Sequence, residues 1–210
     1  MSRLHPYPFI YLRHGETDWN KENRLQGRTD VALNAKGIGQ AEAARDALAH
    51  SGVTVIYHSP LARARRTAEI VNETLGLPMR SVDDLREASF GEMEGQITER
   101  GSGSWYEAWQ SGHHTPAGAE CFEAFVFRAL TAINSCLQDA RTRGARPLIV
   151  AHGGVYWAVR RGAGLTYEGP IANALARLHL PTDGANGLKW RIEDLSSRSE
   201  PSRSEQGALA

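Results

Sequence analysis

A three-layer α/β sandwich, with a largely parallel central sheet flanked by helices, is the fold class this sequence predicts, on three observations. Short apolar runs recur at 8–12, 53–57 and 148–151, with the length of strands buried on both faces. Between them lie stretches whose apolar residues repeat at helical spacing. Two of the runs end in the same dipeptide, His14-Gly15 and His152-Gly153. Strands alternating with helices are the pattern of a sheet covered on both sides.

The elements follow in order. Residues 8–12 form the first strand. Asn34 offers a helix cap, and Ile38, Ala41, Ala44 and Leu48 continue from it at helical spacing. Val53 to Tyr57 is the second strand. Ser59-Pro60 reads as cap and first helical residue, with Leu61, Ala64, Ala68, Val71 and Leu75 as the buried stripe. Phe122, Val126, Ala129, Ile133 and Leu137 write a long helix, and 148–151 is the third buried strand. Residues 155–164 read as a helix. Residues 173–180 and 187–194 read as two more strands, a hairpin across Asp183-Gly184. Residues 98–118, rich in Gly, Trp and His, read as a loop or short helix over the site.

At 210 residues the chain is expected to hold one domain, residues 1–195, followed by a disordered tail at 196–210 composed of Ser, Arg, Glu, Pro and Gly without periodicity. The 24 basic and 24 acidic residues balance, which argues against nucleic acid or an anionic membrane as a general partner. No leader-like or membrane-spanning stretch is apparent, and a cytoplasmic location is expected. Cys121 and Cys136, 15 residues apart on one helical pattern, stand roughly 22 Å apart at 1.5 Å per residue and cannot pair.

The chemistry gathers at strand ends, where open α/β sheets bind ligands. Residues 9–20 run Phe-Ile-Tyr-Leu-Arg-His-Gly-Glu-Thr-Asp-Trp-Asn. Arg13 offers a planar fork of donors suited to phosphate, and His14 can be nucleophile, acid, base or ligand. Parallel strands bring His14 and His152 to one edge of the sheet, where two imidazoles and nearby arginines make a pocket for a small anion. Arg63, Arg65 and Arg66 start a helix, and their spacing alone does not choose among them. His113-His114 lack nearby carboxylate or thiolate partners and make a poor metal site, and His58 reads as structural.

Four segments together resemble the signature of the histidine phosphatase superfamily, the phosphoglycerate-mutase-like proteins, and within it the small broad-specificity phosphatases. They are Arg13-His14-Gly15-Glu16-Thr17-x-x-Asn20, Ser59-Pro60-Leu61-x-Arg63-Ala64-x-x-Thr67-Ala68, Leu85-Arg86-Glu87-x-x-Phe90-Gly91-x-x-Glu94-Gly95, and Ile149-Val150-Ala151-His152-Gly153. The resemblance implies that His14 is phosphorylated during turnover, that Arg13, Arg63 and His152 hold the phosphoryl oxygens, and that Glu87 is the proton donor. It further implies phosphate or substrate contacts at Thr17, Asn20, Gln26, Gly27 and Gly153, with no cofactor and no metal. The implied partner is a small phosphorylated substrate, and a homo-oligomer is compatible with the sequence.

A cofactor-dependent phosphoglycerate mutase shares every one of these catalytic residues and is the alternative reading; a non-catalytic phospholigand-binding protein is a lesser one. Mutases of the family resemble one another in a longer insert with an arginine pair, whereas residues 96–118 here offer only Arg100. The family's Pro-x-Gly-Glu-Ser is Pro116-Ala117-Gly118-Ala119-Glu120-Cys121 in this chain, one residue out of step.

Overall fold

The computed structural model describes residues 3–97, 105–166, 169–184 and 187–195. The expected tail at 196–210 and residues 98–104 of the expected lid lie outside the described residues. Six strands form one sheet: β1 (Phe9–Arg13), β2 (Val55–His58), β3 (Met79–Ser81), β4 (Pro147–Ala151), β5 (Ala176–Gly184) and β6 (Gly187–Asp194). Their order is β3-β2-β4-β1-β5-β6. The first four are mutually parallel, and β5 and β6 add an antiparallel hairpin beside β1.

Alternation along the strands builds the layers. Ile10, Leu12, Ile56, Leu148 and Val150 face one side, packed with Ala44 and Leu48 of α2 (Ala35–Leu48) and Ala68 and Val71 of α3 (Ala62–Leu75). Phe9, Tyr11, Tyr57, Ile149 and Ala151 face the other side. There they meet Phe125, Ala129, Ile133 and Leu137 of α5 (Phe122–Thr142) and Val155 and Val159 of α6 (Gly153–Ala163). Each central strand thus buries both faces, which is why its residues read as a continuous apolar run. The sandwich expected from the sequence is the observed fold.

The local details differ in four places. Ser59 does not cap α3: Leu61 holds the cap position, and the Ala62 N–H is met instead by the Asp30 carboxylate at 2.7 Å. A residue 32 positions away does the capping, so no local pattern announces it. Asp183 and Gly184 do not form the hairpin turn. They lie in β5, and the register closes at Gly184↔Gly187. β3 was not anticipated, because an edge strand of three half-exposed residues carries no apolar run. A single helical turn, α1 (Asp18–Lys21), follows β1, with Thr17 and Asn20 as its reciprocal capping box. Asn34 caps α2 as expected, accepting from the Gly37 N–H at 2.8 Å. The short α4 (Trp105–Gln110) lies over α5, with Trp109 fully buried.

Candidate active site

The site grows from the carboxyl ends of the parallel strands. Beyond β1, the His14 N–H donates to Ala151 O at 3.0 Å; beyond β2, the Ser59 N–H donates to Val150 O at 3.0 Å. Both residues therefore extend the ladder on either side of β4, which itself runs into His152. The chain after His14 crosses the start of α2 in backbone contact. A Cβ on Gly15 would stand 2.3 Å from Gly37 O, and one on Gly37 would stand 2.0 Å from Glu16 O, so neither position admits a side chain. That crossing sets the direction in which His14 leaves the strand.

His14 is buried, and its Nδ1 lies 2.7 Å from Gly15 O. A carbonyl only accepts, so Nδ1 carries the proton and Nε2 presents a lone pair. Burial, then the Arg63 and Arg13 charges, hold the imidazole well below the usual histidine range. The ring of His152, also buried and also held low chiefly by burial, stands 5.2 Å from it, centroid to centroid.

Two guanidiniums flank the rings. Arg63, on the first turn of α3, donates to Gly27 O at 2.7 Å and Thr29 O at 2.9 Å, while its buried Nε has no partner among the described residues. Burial brings it down to about 10, so it stays charged at neutral pH. Arg13 donates to Ile171 O at 2.8 Å. Among Arg63, Arg65 and Arg66, left open by spacing, only Arg63 is buried; the other two are exposed and pair with Glu69.

Glu87 comes to the same place. Its carboxylate accepts from Ala88 N at 3.0 Å and from Gly154 N, in the first turn of α6, at 2.9 Å. Burial raises its pKa above the usual carboxylate range, against the opposing pull of those two N–H groups, Arg63 and Arg13. Enclosure comes from the neighbouring segment: Ala88 and Phe90 are buried, and Phe90 packs edge-on against Trp105 and Trp109 of α4.

The implied substrate contacts separate into two kinds. Asn20 turns its Oδ1 toward Thr17 N at 3.2 Å and Asn173 Nδ2 at 3.4 Å. Its Nδ2 makes no hydrogen bond among the described residues. Thr17, fully buried, uses its hydroxyl on the Asn20 backbone and side chain, so it acts on the site through Asn20. Gln26 is buried, and its Oε1 has no hydrogen-bond partner among the described residues. Gly27 gives its carbonyl to Arg63, and Gly153 opens α6 beside the Arg13 guanidinium. His113 shares a hydrogen bond with Ser111 Oγ at 2.6 Å, and His58, buried at the end of β2, donates from Nδ1 to Ser59 O at 2.9 Å.

Four supports were not assigned from the sequence. Asn173 donates to His14 O at 2.9 Å and so ties the loop before β5 to the His14 backbone. Glu94 takes four donors, from Arg28 N, Thr29 N, Thr29 Oγ1 and Phe90 N, and shapes the loop whose carbonyls hold Arg63. Arg128 forms a two-pronged pair with Glu120, both contacts at 2.8 Å, and donates to Asp84 O and Arg86 O behind Glu87. Ser59 hydrogen-bonds His152. The only sequence signal was for Glu94 and Ser59, which stand inside the motif strings; Asn173 and Arg128 are brought in by tertiary structure alone.

The family model of the histidine phosphatase superfamily (branch 1) matches residues 9–184. A protein of Bacillus subtilis (strain 168) named uncharacterized phosphatase PhoE is 32% identical over 193 residues, covering 90% of this chain and 93% of its own. A protein of Salmonella newport (strain SL254) named probable phosphoglycerate mutase GpmB is 37% identical over 151 residues, 69% of each chain. Among solved structures, a mycobacterial glucosyl-3-phosphoglycerate phosphatase complexed with VO3 superposes with a TM-score of 0.72 at 26% identity. That likeness covers 90% of this chain and 98% of the other.

Proposed function

This chain belongs to the histidine phosphatase superfamily, and on that premise we propose that it is a metal-independent phosphomonoesterase acting on small phosphorylated metabolites through a phosphohistidine on His14. The observation that carries the reading is the His14 ring. Its Nδ1–H is committed to Gly15 O, its Nε2 lone pair is open, and burial beside two guanidiniums keeps it neutral. A neutral imidazole with a fixed tautomer is a competent nucleophile toward phosphorus.

In the first step His14 Nε2 attacks phosphorus in line, the bond to the ester oxygen breaks, and protonated Glu87 gives its proton to that oxygen. In the second step water attacks the phosphohistidine, Glu87 takes a proton from it, and the P–N bond breaks to release inorganic phosphate. Arg13, Arg63 and His152 oppose the charge on the equatorial oxygens throughout. The raised pKa of Glu87 suits a group that must be an acid in one step and a base in the next.

Relatives are named both as phosphatases and as mutases, so the test runs both assays on one enzyme sample in chelator. Phosphate release from a panel of phosphorylated metabolites is expected, with an acid-labile, alkali-stable adduct on the His14 peptide. His14→Ala should lose several powers of ten in rate. Conversion of 3-phosphoglycerate to 2-phosphoglycerate faster than phosphate release, and stimulated by bisphosphoglycerate, would move the chain to the mutases.

A further inference from the structure

We propose that Ser59 is a positioning residue that holds His152 in the Nδ1–H tautomer, so that His152 meets the phosphoryl group as a neutral hydrogen-bond donor. The inference rests on the phosphoryl-transfer reading of this cleft. Ser59 is fully buried, and its Oγ has two polar neighbours. Leu61 N lies 3.3 Å away and His152 Nε2 lies 2.8 Å away. A backbone N–H can only donate, so Leu61 occupies a lone pair of the hydroxyl. The hydroxyl proton finds no acceptor among the described residues other than His152 Nε2, so that nitrogen is the unprotonated one and the ring carries its proton on Nδ1.

The rest of the ring agrees with that assignment. His152 is fully buried, and its Nδ1 has no hydrogen-bond partner among the described residues. A buried N–H without an acceptor is unfavourable until a ligand supplies one, and an anionic oxygen supplies the best. The opposite tautomer leaves the Ser59 proton without an acceptor and turns a lone pair of Nδ1 toward the phosphoryl oxygens. His14 and His152 thus hold the same tautomer and do opposite work. In His14 the protein binds the N–H and leaves the lone pair open; in His152 it binds the lone pair and leaves the N–H open.

The test reads the ring nitrogens by 15N NMR in ligand-free protein, with the His152 signals assigned by their loss in His152→Asn. The expected result is an Nδ1–H, Nε2-unprotonated ring whose N–H resonance shifts on adding inorganic phosphate. Ser59→Ala should give mixed tautomers and weaken phosphate and vanadate binding about tenfold or more, the scale of losing one oriented donor. Ser59→Thr, which keeps the hydroxyl, should restore the wild-type tautomer. An Nε2–H ring in the wild type overturns the proposal, and so does Ser59→Ala with unchanged tautomer and unchanged phosphate affinity. The tautomer is measured without substrate, so a wild-type enzyme that released no phosphate would remove the function and leave this result standing.

Discussion

Gly154 and Glu87 are fitted to each other without clearance. The Gly154 N–H donates to Glu87 Oε2 at 2.9 Å, and a Cβ on Gly154 would stand 2.2 Å from Oε1 of the same carboxylate. The first turn of α6 therefore serves as the shelf on which the Glu87 carboxylate rests, and the positive end of the helix faces it.

Gly154→Ala should therefore behave like a lesion of Glu87 while leaving His14 in place. The carboxylate must move off the helix, so alkyl phosphates, whose leaving oxygen needs a proton, should slow by about a hundredfold or more. Nitrophenyl phosphate, whose leaving group needs little protonation, should slow far less. The comparison is kcat on the two substrates for Gly154→Ala and Glu87→Gln side by side. Equal losses on both substrates would assign Glu87 a role other than proton donor.

Glu94 should act on phosphate affinity and not on proton transfer. All four of its donors come from the loops at 28–29 and 90, and the first of those loops presents the carbonyls that aim Arg63. Glu94→Gln puts an N–H2 group where only acceptors are wanted, so at least one donor of this largely exposed cluster loses its acceptor, at about 1 kcal/mol. Inhibition by inorganic phosphate should weaken roughly tenfold, the equivalent of about 1.4 kcal/mol. The ratio of alkyl to aryl phosphate turnover should stay at the wild-type value, and a selective loss on alkyl phosphates would make Glu94 the acid instead of Glu87.

The pH profile follows from two opposed shifts. The proposed mechanism requires His14 neutral and Glu87 protonated in the active form. Burial and the arginines lower the His14 pKa, so the nucleophile is available well below pH 6.5, while burial raises that of Glu87, so the acid form is lost only as pH rises past its raised value. For an alkyl phosphate, kcat/KM should be bell-shaped, with its falling limb removed in Glu87→Gln. A nitrophenyl substrate should show that limb weakly. A wild-type alkyl-phosphate profile without a falling limb would take Glu87 out of the mechanism.

What was legible in the sequence is what strands and glycines write locally. His14 and His152 stand at the ends of apolar runs, and a parallel sheet brings such ends together, so the pair could be placed before any coordinates. Glu87 and Arg63 were picked out by the family motif alone, since a loop glutamate and one arginine of three carry no signal of burial. Ser59 was visible but misread: Ser-Pro before a helix looks like a cap, and nothing local says that Asp30 takes that task and frees the hydroxyl for His152. Asn173 and Arg128 reach the site across 159 and about 41 to 44 residues of chain, a juxtaposition that only the packed sheet and helices create.

Acid stability should depend on a histidine outside the site. His179, on β5, is fully buried and stacks on Phe9 at 4.5 Å. Its Nδ1 donates to Arg177 O at 3.0 Å, so Nε2 accepts from the Tyr156 hydroxyl at 3.0 Å, and the ring is neutral. Burial brings its pKa down to about 3. A depressed histidine pKa means that the unfolded chain binds the proton first as pH falls. Stability is then complete above pH 6.5, declines between there and about pH 3, and declines no further through this group below that. Over that range the loss is on the order of several kcal/mol at about 1.4 kcal/mol per pH unit. His179→Gln gives up the stacking and is expected to be the less stable protein at pH 7. Because glutamine does not titrate, the gap should narrow as pH falls toward 4. Urea unfolding followed by circular dichroism at pH 7, 5.5 and 4 measures the gap directly, and a gap constant across the three would show that His179 titrates in the fold as it does in the unfolded chain.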